Sequence, residues 1–251
     1  MLHPIIKRGI YFLRDLFARK MFDVMRRYCS GDVLDVGGWD FYLTAKKKGI
    51  TCDSWTSLEY DENKAFDCDD EKYTLVHGDG CAMDFDDESY DVVLNIQVLE
   101  HVFEPIRMVE EIHRVLKRGG TAIFLIPQTT PLHMVPDHYY NFTYFWVTKV
   151  MERTGFEIVE LHPLGGRWMS MASHLFYFIY HVAIRKLKSP TGGKRSLLFF
   201  LLFPFMVLYA LINFPLCLLL GLGDLQEEAN NHLVVVRKPD QKTKTVSTTR
   251  S

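Results

Sequence analysis

The sequence lacks most of what would tie it to nucleic acid, to a metal or to an oxidising compartment. Its formal net charge is only −2. Phosphate binding needs a concentration of Lys and Arg, so a nucleic-acid partner is not expected. Cysteine is scarce, with five in 251 residues (Cys29, Cys52, Cys68, Cys81 and Cys217), and no two form a CxxC pair. They read as reduced thiols of a cytosolic chain, not as staples or zinc ligands. No metal-ligand spacing stands out, so no metal is expected. A signal peptide is not expected either, because Lys7 and Arg8 arrive before any apolar run of sufficient length has formed. There is no internal repeat.

What is present is unevenly spread. Residues 1–27 hold seven Lys or Arg against two Asp, and the acids cluster at 59–91. In 5–27, Ile6, Ile10, Leu13, Phe17, Met21 and Val24 recur at helical spacing, with Arg8, Asp15, Arg19 and Arg26 opposite. Such a helix either packs on the domain's own core or lies on anionic lipid. Short apolar strands then alternate with helical stretches. Strands are expected at 32–36, 51–58, 73–77, 90–96, 121–126, 156–161 and 232–237. Helices are expected at 43–48, at 105–118 closed by Gly119-Gly120, and at 145–154. That alternation implies a mostly parallel sheet covered on both faces. The domain plan is a basic amphipathic helix at 1–28 and an α/β domain at 29–161 completed by 232–238. A hydrophobic helical insertion fills 162–231, and 239–251 is a disordered tail.

In a doubly wound sheet, ligands sit beyond the carboxyl ends of the strands. Here the first strand ends Asp35-Val36-Gly37-Gly38, the second ends at Glu59, and the third ends Gly78-Asp79-Gly80. A glycine lets backbone approach a ligand closely. An acid after the second strand can accept from both hydroxyls of a ribose, and an acid in the next loop from an adenine amino group. Those residues, together with Ser89-Tyr90-Asp91-Val92-Val93-Leu94, Val98-Leu99-Glu100-His101-Val102 and Arg114-Val115-Leu116-Lys117-Arg118-Gly119-Gly120, resemble the class I S-adenosylmethionine-dependent methyltransferases. The resemblance runs from about Gly31 to Leu161. It is nearest to the branch with small-molecule, lipid and cell-surface glycan methyltransferases.

The resemblance implies a Rossmann-like, doubly wound, seven-stranded sheet with an antiparallel last strand, and S-adenosylmethionine as cofactor. It implies that Asp35, Gly37 and Gly38 meet the methionine and ribose portions, that Glu59 takes the ribose, and that Asp79 and Gly80 take the adenine side. Gln97, with Asn95 and Ile96, would end the fourth strand facing the sulfonium. Trp39 and Phe41 depart from the family's first motif, which has small residues there. A non-catalytic scaffold with Trp39 closing the cofactor site is therefore the rival from another class.

A hydroxyl acceptor needs a base to take its proton. Two segments offer one: Glu100-His101, and the loop carrying His133, Asp137, His138, Tyr139 and Tyr140. Similar enzymes carry a histidine-to-aromatic segment in that loop, which places His138 ahead of His101 as catalytic base.

The stretch 197–222 holds no charge over 26 residues, long enough for a membrane helix, but Pro204 and Pro215 interrupt it and Asn213 lies inside it. A shorter apolar stretch covers 169–184. Both lie between strands that pair in one sheet, so the chain must return to the side it left. The connector 185–195 carries Arg185, Lys186, Lys188, Lys194 and Arg195 and no acid. A hairpin that enters and returns, or helices in the interface, brings those cations to anionic headgroups; a buried lid or dimer interface is the plainer alternative. The expected function is a cytoplasmic, membrane-associated methyltransferase, held to an anionic surface by 1–28 and 169–222. It would O-methylate a lipid-linked sugar or surface glycan, with a quinone or isoprenoid lipid as the other acceptor class.

Overall fold

The computed structural model describes residues 18–66, 68–183, 195–224 and 226–240. A helix at 18–28 (α1) is followed by β1 (Asp32–Val36), α2 (Phe41–Lys47), β2 (Ser54–Glu59), β3 (Tyr73–His77) and β4 (Tyr90–Ile96). Then come α3 (Pro105–Val115), β5 (Leu116–Pro127), α4 (Tyr144–Arg153), β6 (Glu157–Leu164), α5 (Arg167–Ala183), α6 (Leu197–Leu220) and β7 (Asn231–Arg237). The strands form one sheet in the order β3-β2-β1-β4-β5-β7-β6. β1 to β5 run parallel, and β7 runs antiparallel to both β5 and β6. The order reverses between β1 and β4, which opens the ligand crevice of a doubly wound sheet there.

The central strands are apolar on both faces because both are covered. On one face α3 buries Met108, Val109, Ile112 and Val115 at helical spacing, and α4 buries Val147, Val150 and Met151. On the other, α1 packs Met21, Phe22, Val24 and Met25 around Val33, Tyr42 and Trp55. The apolar stripe of α1 is therefore core, which corrects the lipid-facing expectation for 18–28; residues 1–17 lie outside the described residues. Arg27 pins α1 to β6 through Glu160, at 2.7 Å.

α3 ends at Val115, three residues earlier than expected. Leu116 already pairs with Tyr90, and Gly119, at φ +72°, donates its N–H to the Lys238 carbonyl at 2.8 Å. The glycine pair does not cap a helix; it shapes a bulge near the start of β5.

α5 and α6 form an antiparallel hairpin, with the end of α6 (Gly221) against Met169 at the start of α5 and Phe178 beside Phe203 further out. Pro204 and Pro215 do not interrupt α6, a correction to the sequence reading: both sit inside one helix of 24 residues. Ser196 caps it by accepting from Phe199 N–H at 3.2 Å. At 1.5 Å rise per residue the helix is about 36 Å long. Within α6 only Ala210 and Cys217 are buried. The connector 184–194 and the tail 241–251 lie outside the described residues.

Candidate functional site

β1 ends in a tight turn. Gly37 adopts φ +79°, and its N–H donates to the Leu58 carbonyl at 2.7 Å; Phe41 N–H closes the turn on the Gly38 carbonyl. A Cβ on Gly37 would stand 2.7 Å from Val98 Cγ2. A Cβ on Gly38 would stand 1.8 Å from Asp35 Oδ2. Both positions thus need glycine, the first for φ and the second because the Asp35 carboxylate lies against it. Asp35 itself is wholly buried, and neither of its oxygens has a hydrogen-bond partner. Burial pushes its pKa up to about 8; the Trp55 indole pulls the other way, and the Glu59 charge adds to the rise.

Glu59, at the end of β2, is 4% exposed. Its Oε1 accepts from Asp61 N–H at 3.2 Å and pairs with Lys64 Nζ at 3.1 Å, while Oε2 is buried without a partner. Asp79 is exposed after β3 and uses Oδ1 to accept from Cys81 N–H at 2.8 Å; Gly80 beneath it is buried, and a Cβ there would meet Met108 Cε at 2.5 Å. The structure therefore gathers Asp35, Gly37, Gly38, Glu59, Asp79 and Gly80 along one edge of β1, β2 and β3. Uncompensated buried carboxylate oxygens beside a glycine turn fit a ligand that brings hydroxyl and ammonium donors, as S-adenosylmethionine does.

Gln97 has another connection. It sits at φ +59° and donates Nε2–H to Asn231 Oδ1 at 2.6 Å, at the start of β7. Asn95, one turn of the pleat before it, is buried with Oδ1 unpartnered. Trp39 is 37% exposed, and Lys64 Nζ lies 5.7 Å from the centre of its ring. Trp39 and Glu59 thus share one lysine.

The two predicted bases meet in one cluster with a third ring. His101 and His133 stand with ring centres 4.7 Å apart, and His133 and His138 4.5 Å apart. His138 has both nitrogens occupied: Nδ1 accepts from His133 N–H at 3.2 Å, and Nε2 faces the Tyr140 carbonyl at 3.2 Å. It supports the loop and has no free lone pair for an acceptor proton. Beside the rings, Glu100 is fully buried with both carboxylate oxygens unpartnered, 3.7 Å from His101 Nε2. Burial raises the Glu100 pKa to about 7 and lowers that of His101. With His138 and then His101 preferred, the sequence offered Glu100 and His133 as candidate bases on two separate segments. Their pairing was hidden because 33 residues separate them in the chain.

Residues 43–124 match the methyltransferase domain family. A probable S-adenosylmethionine-dependent methyltransferase of Mycolicibacterium smegmatis is 30% identical over 149 residues, which is 53% of this chain and 54% of that protein. The chain therefore spans about half the length of the curated relative it matches. Among solved structures, the complex of the Haloferax volcanii Trm112 methyltransferase activator with a putative methyltransferase is similar at TM-score 0.59 and 16% identity, covering 93% of each chain. The Haemonchus contortus phosphoethanolamine N-methyltransferase 2 bound to S-adenosyl-L-methionine is similar at TM-score 0.53 and 16% identity, covering 90% of this chain and 52% of that one. A cyclase, SpnF, is similar at TM-score 0.59 and 16% identity, covering 91% of this chain and 81% of that one. At such identity these likenesses establish the fold, and the fold alone does not fix the reaction.

Proposed function

The chain carries a class I S-adenosylmethionine-dependent methyltransferase domain, and from that premise we propose that it O-methylates a lipid-linked sugar or surface glycan at the cytoplasmic face of a membrane. One observation carries the membrane part: the apolar hairpin grows from the same edge of the sheet that holds the cofactor residues. β7 is antiparallel, so its first residues lie at the carboxyl end of β5, where Asn231 pairs with Pro127. The hairpin foot is fastened there. Ser170 of α5 shares a hydrogen bond with Thr129 just after β5, at 2.7 Å. Asp224 accepts from the N–H groups of Trp168 and Met169 at 2.9 and 2.8 Å. The bond from Gln97 to Asn231 links that foot to the end of β4.

α6 has no polar face. Leu197, Leu201, Phe205, Leu208, Tyr209, Ile212 and Leu219 are exposed along it, and Asn213 places its side-chain N–H on the Tyr209 carbonyl at 2.8 Å. A helix that is apolar on every side suits immersion among acyl chains, not adsorption of one face. An acceptor carried by a lipid would then meet the site at the hairpin foot.

S-adenosylmethionine supplies the activated methyl group, so the protein's task is alignment. Gly37 and Gly38 let the backbone approach. Asp35 and Glu59 accept from the ammonium and the ribose hydroxyls, and Asp79 takes the adenine side. The acceptor's proton leaves through the cluster of Glu100, His101 and His133.

Calorimetric titration of the full chain with S-adenosylmethionine tests the catalytic reading; no binding at millimolar cofactor would sink it in favour of a scaffold. Flotation with anionic liposomes tests the membrane reading, with loss of flotation expected on deleting 169–222. A soluble dimer that ignores liposomes would assign the hairpin to a protein interface. Transfer of labelled methyl groups to fractionated membranes reads the acceptor, and label in the quinone fraction would replace the glycan.

A further inference from the structure

We propose that Glu100, His101 and His133 form a binding site for a divalent transition-metal ion such as Zn2+. The argument rests on where the protons must be. His101 Nδ1 faces the Asp137 carbonyl, and His133 Nδ1 faces the Pro131 carbonyl at 3.0 Å. A carbonyl only accepts, so both Nδ1 atoms carry hydrogen. In neutral rings both Nε2 atoms then carry lone pairs, and these face one another at 3.1 Å. Two lone pairs at that distance repel unless a cation lies between them. A fully buried carboxylate with no hydrogen-bond partner stands beside them, Glu100 Oε1 at 3.7 Å from His101 Nε2. The three ligand atoms lie within 4.8 Å of one another.

This arrangement suits a metal ion. Ligand atoms bound at ~2.0–2.2 Å from one ion stand roughly 3–3.5 Å apart. Metal-bound imidazoles pass their other N–H to a carbonyl or carboxylate, which fixes tautomer and ring orientation, and both rings do so here. His138 completes the support: its Nδ1 accepts from the His133 N–H, holding the loop in place. Two imidazoles and one carboxylate leave a coordination position open, as catalytic rather than structural sites do.

Glu100 and His101 lie in the short 3-10 turn Leu99–His101 after β4, next to Val98, whose Cγ2 would stand 2.7 Å from a Cβ on Gly37. The open position suits an oxygen ligand such as the acceptor hydroxyl, whose proton a bound cation makes easier to remove and which the second, unligated oxygen of Glu100 can take as the O–CH3 bond forms and the sulfonium C–S bond breaks. That last step rests on the proposed methyl transfer; the metal site itself does not.

The test uses the full chain, untagged, stripped by chelator and titrated with Zn2+ against a chromophoric competitor. One equivalent is expected, and Glu100→Gln and His133→Ala are each expected to weaken it more than about 100-fold, since loss of a supporting contact alone costs about 10–100-fold. Co2+ in place of Zn2+ is expected to give a visible absorption band that both variants lose. Circular dichroism identifies a variant that fails to fold, and His133→Gln then serves in place of His133→Ala. Binding of less than one equivalent, or binding that survives all these substitutions, would overturn the site and leave a shared proton between the rings as the explanation. Titration with S-adenosylmethionine is read separately, so failure of the metal site and failure of the methyltransferase reading are distinguishable.

Discussion

Asp35→Asn should stabilise the ligand-free protein while weakening cofactor binding, a pairing that a purely structural residue would not give. The carboxyl is wholly buried without a partner, and its pKa stands near 8 against an ordinary value of 3.8. Between those values the folded chain holds a proton that the unfolded chain has lost, so folding stability falls as pH rises from about 4 to about 8. At pH 7 that difference is worth at most about 4 kcal/mol at ~1.36 kcal/mol per pH unit, and relaxation of the site reduces it to about 2 kcal/mol. Asparagine keeps the shape and carries no such cost. For a chain of this size about 2 kcal/mol raises the melting temperature by roughly 4–8 °C. The gap between variant and wild type should widen from pH 5 to pH 8 and close near pH 4. Binding should move the other way. A lost charge-assisted hydrogen bond is worth about 1.5–3 kcal/mol, or roughly 10- to 150-fold in affinity. Thermal unfolding across pH and calorimetry with S-adenosylhomocysteine read the two effects. A variant that is less stable at pH 7, or that binds as tightly as wild type, refutes the assignment of Asp35 as a ligand group kept at the expense of stability.

Gly38→Ala should cost at least tenfold in cofactor affinity with the fold intact by circular dichroism, because its Cβ would occupy the position of Asp35 Oδ2; unchanged affinity would show that Asp35 can be displaced without consequence. His113 is held neutral by burial and by Lys238 and Arg118, with a pKa near 4, so it favours unfolding as pH falls from about 6.5 to about 4. The two slopes of His113 and Asp35 oppose one another over that window in wild type, so His113→Gln should unmask the Asp35 dependence and make stability fall more steeply as pH rises from about 4 to about 6.5; an unaltered profile would show that the ring is solvated. Leu208→Glu with Ile212→Glu, both exposed on α6, should abolish liposome flotation and leave cofactor affinity within about twofold; flotation that persists would place the membrane contact elsewhere.

The sheet and the gathering of the candidate residues on one edge were legible because both are written locally. Each strand is a short apolar run, and each candidate residue lies at or near the end of its own strand: Asp35 is next to last in β1, Glu59 ends β2, and Asp79 stands two residues beyond β3. Boundaries failed where a tertiary partner overrode local preference. Residues 116–118 continue a helical pattern, yet Leu116 pairs with Tyr90 and the strand wins. Proline at 204 and 215 reads as a break, but each lies between large apolar residues (Phe203 and Phe205, Phe214 and Leu216), and the helix runs through both. The stripe of α1 could not be assigned from its own pattern, since core and lipid ask for the same spacing; only Val33, Tyr42 and Trp55 settle it for 18–28.

The histidine cluster was unreadable for a different reason. Metal spacing is recognisable in sequence when ligands share a helix or a turn, as with residues four apart on one face. Here Glu100 and His101 come from the turn after β4 and His133 from the loop after β5, and their approach depends on β4 and β5 lying side by side in register from Val92 and Thr121 onward. What fixes their chemistry is one level further away. The carbonyls of Pro131 and Asp137 decide which nitrogen of each ring carries the proton, and a carbonyl's direction has no signature in residue type. The same holds for Gln97, whose side chain is drawn to Asn231 because β7 returns antiparallel beside β5. That return brings the start of β7, and with it the hairpin foot, to the edge where the strands end in acids. An antiparallel last strand is therefore the feature that returns both ends of the apolar hairpin to the candidate cofactor edge; a parallel one would have begun at the opposite edge, the 7 residues of β7 away.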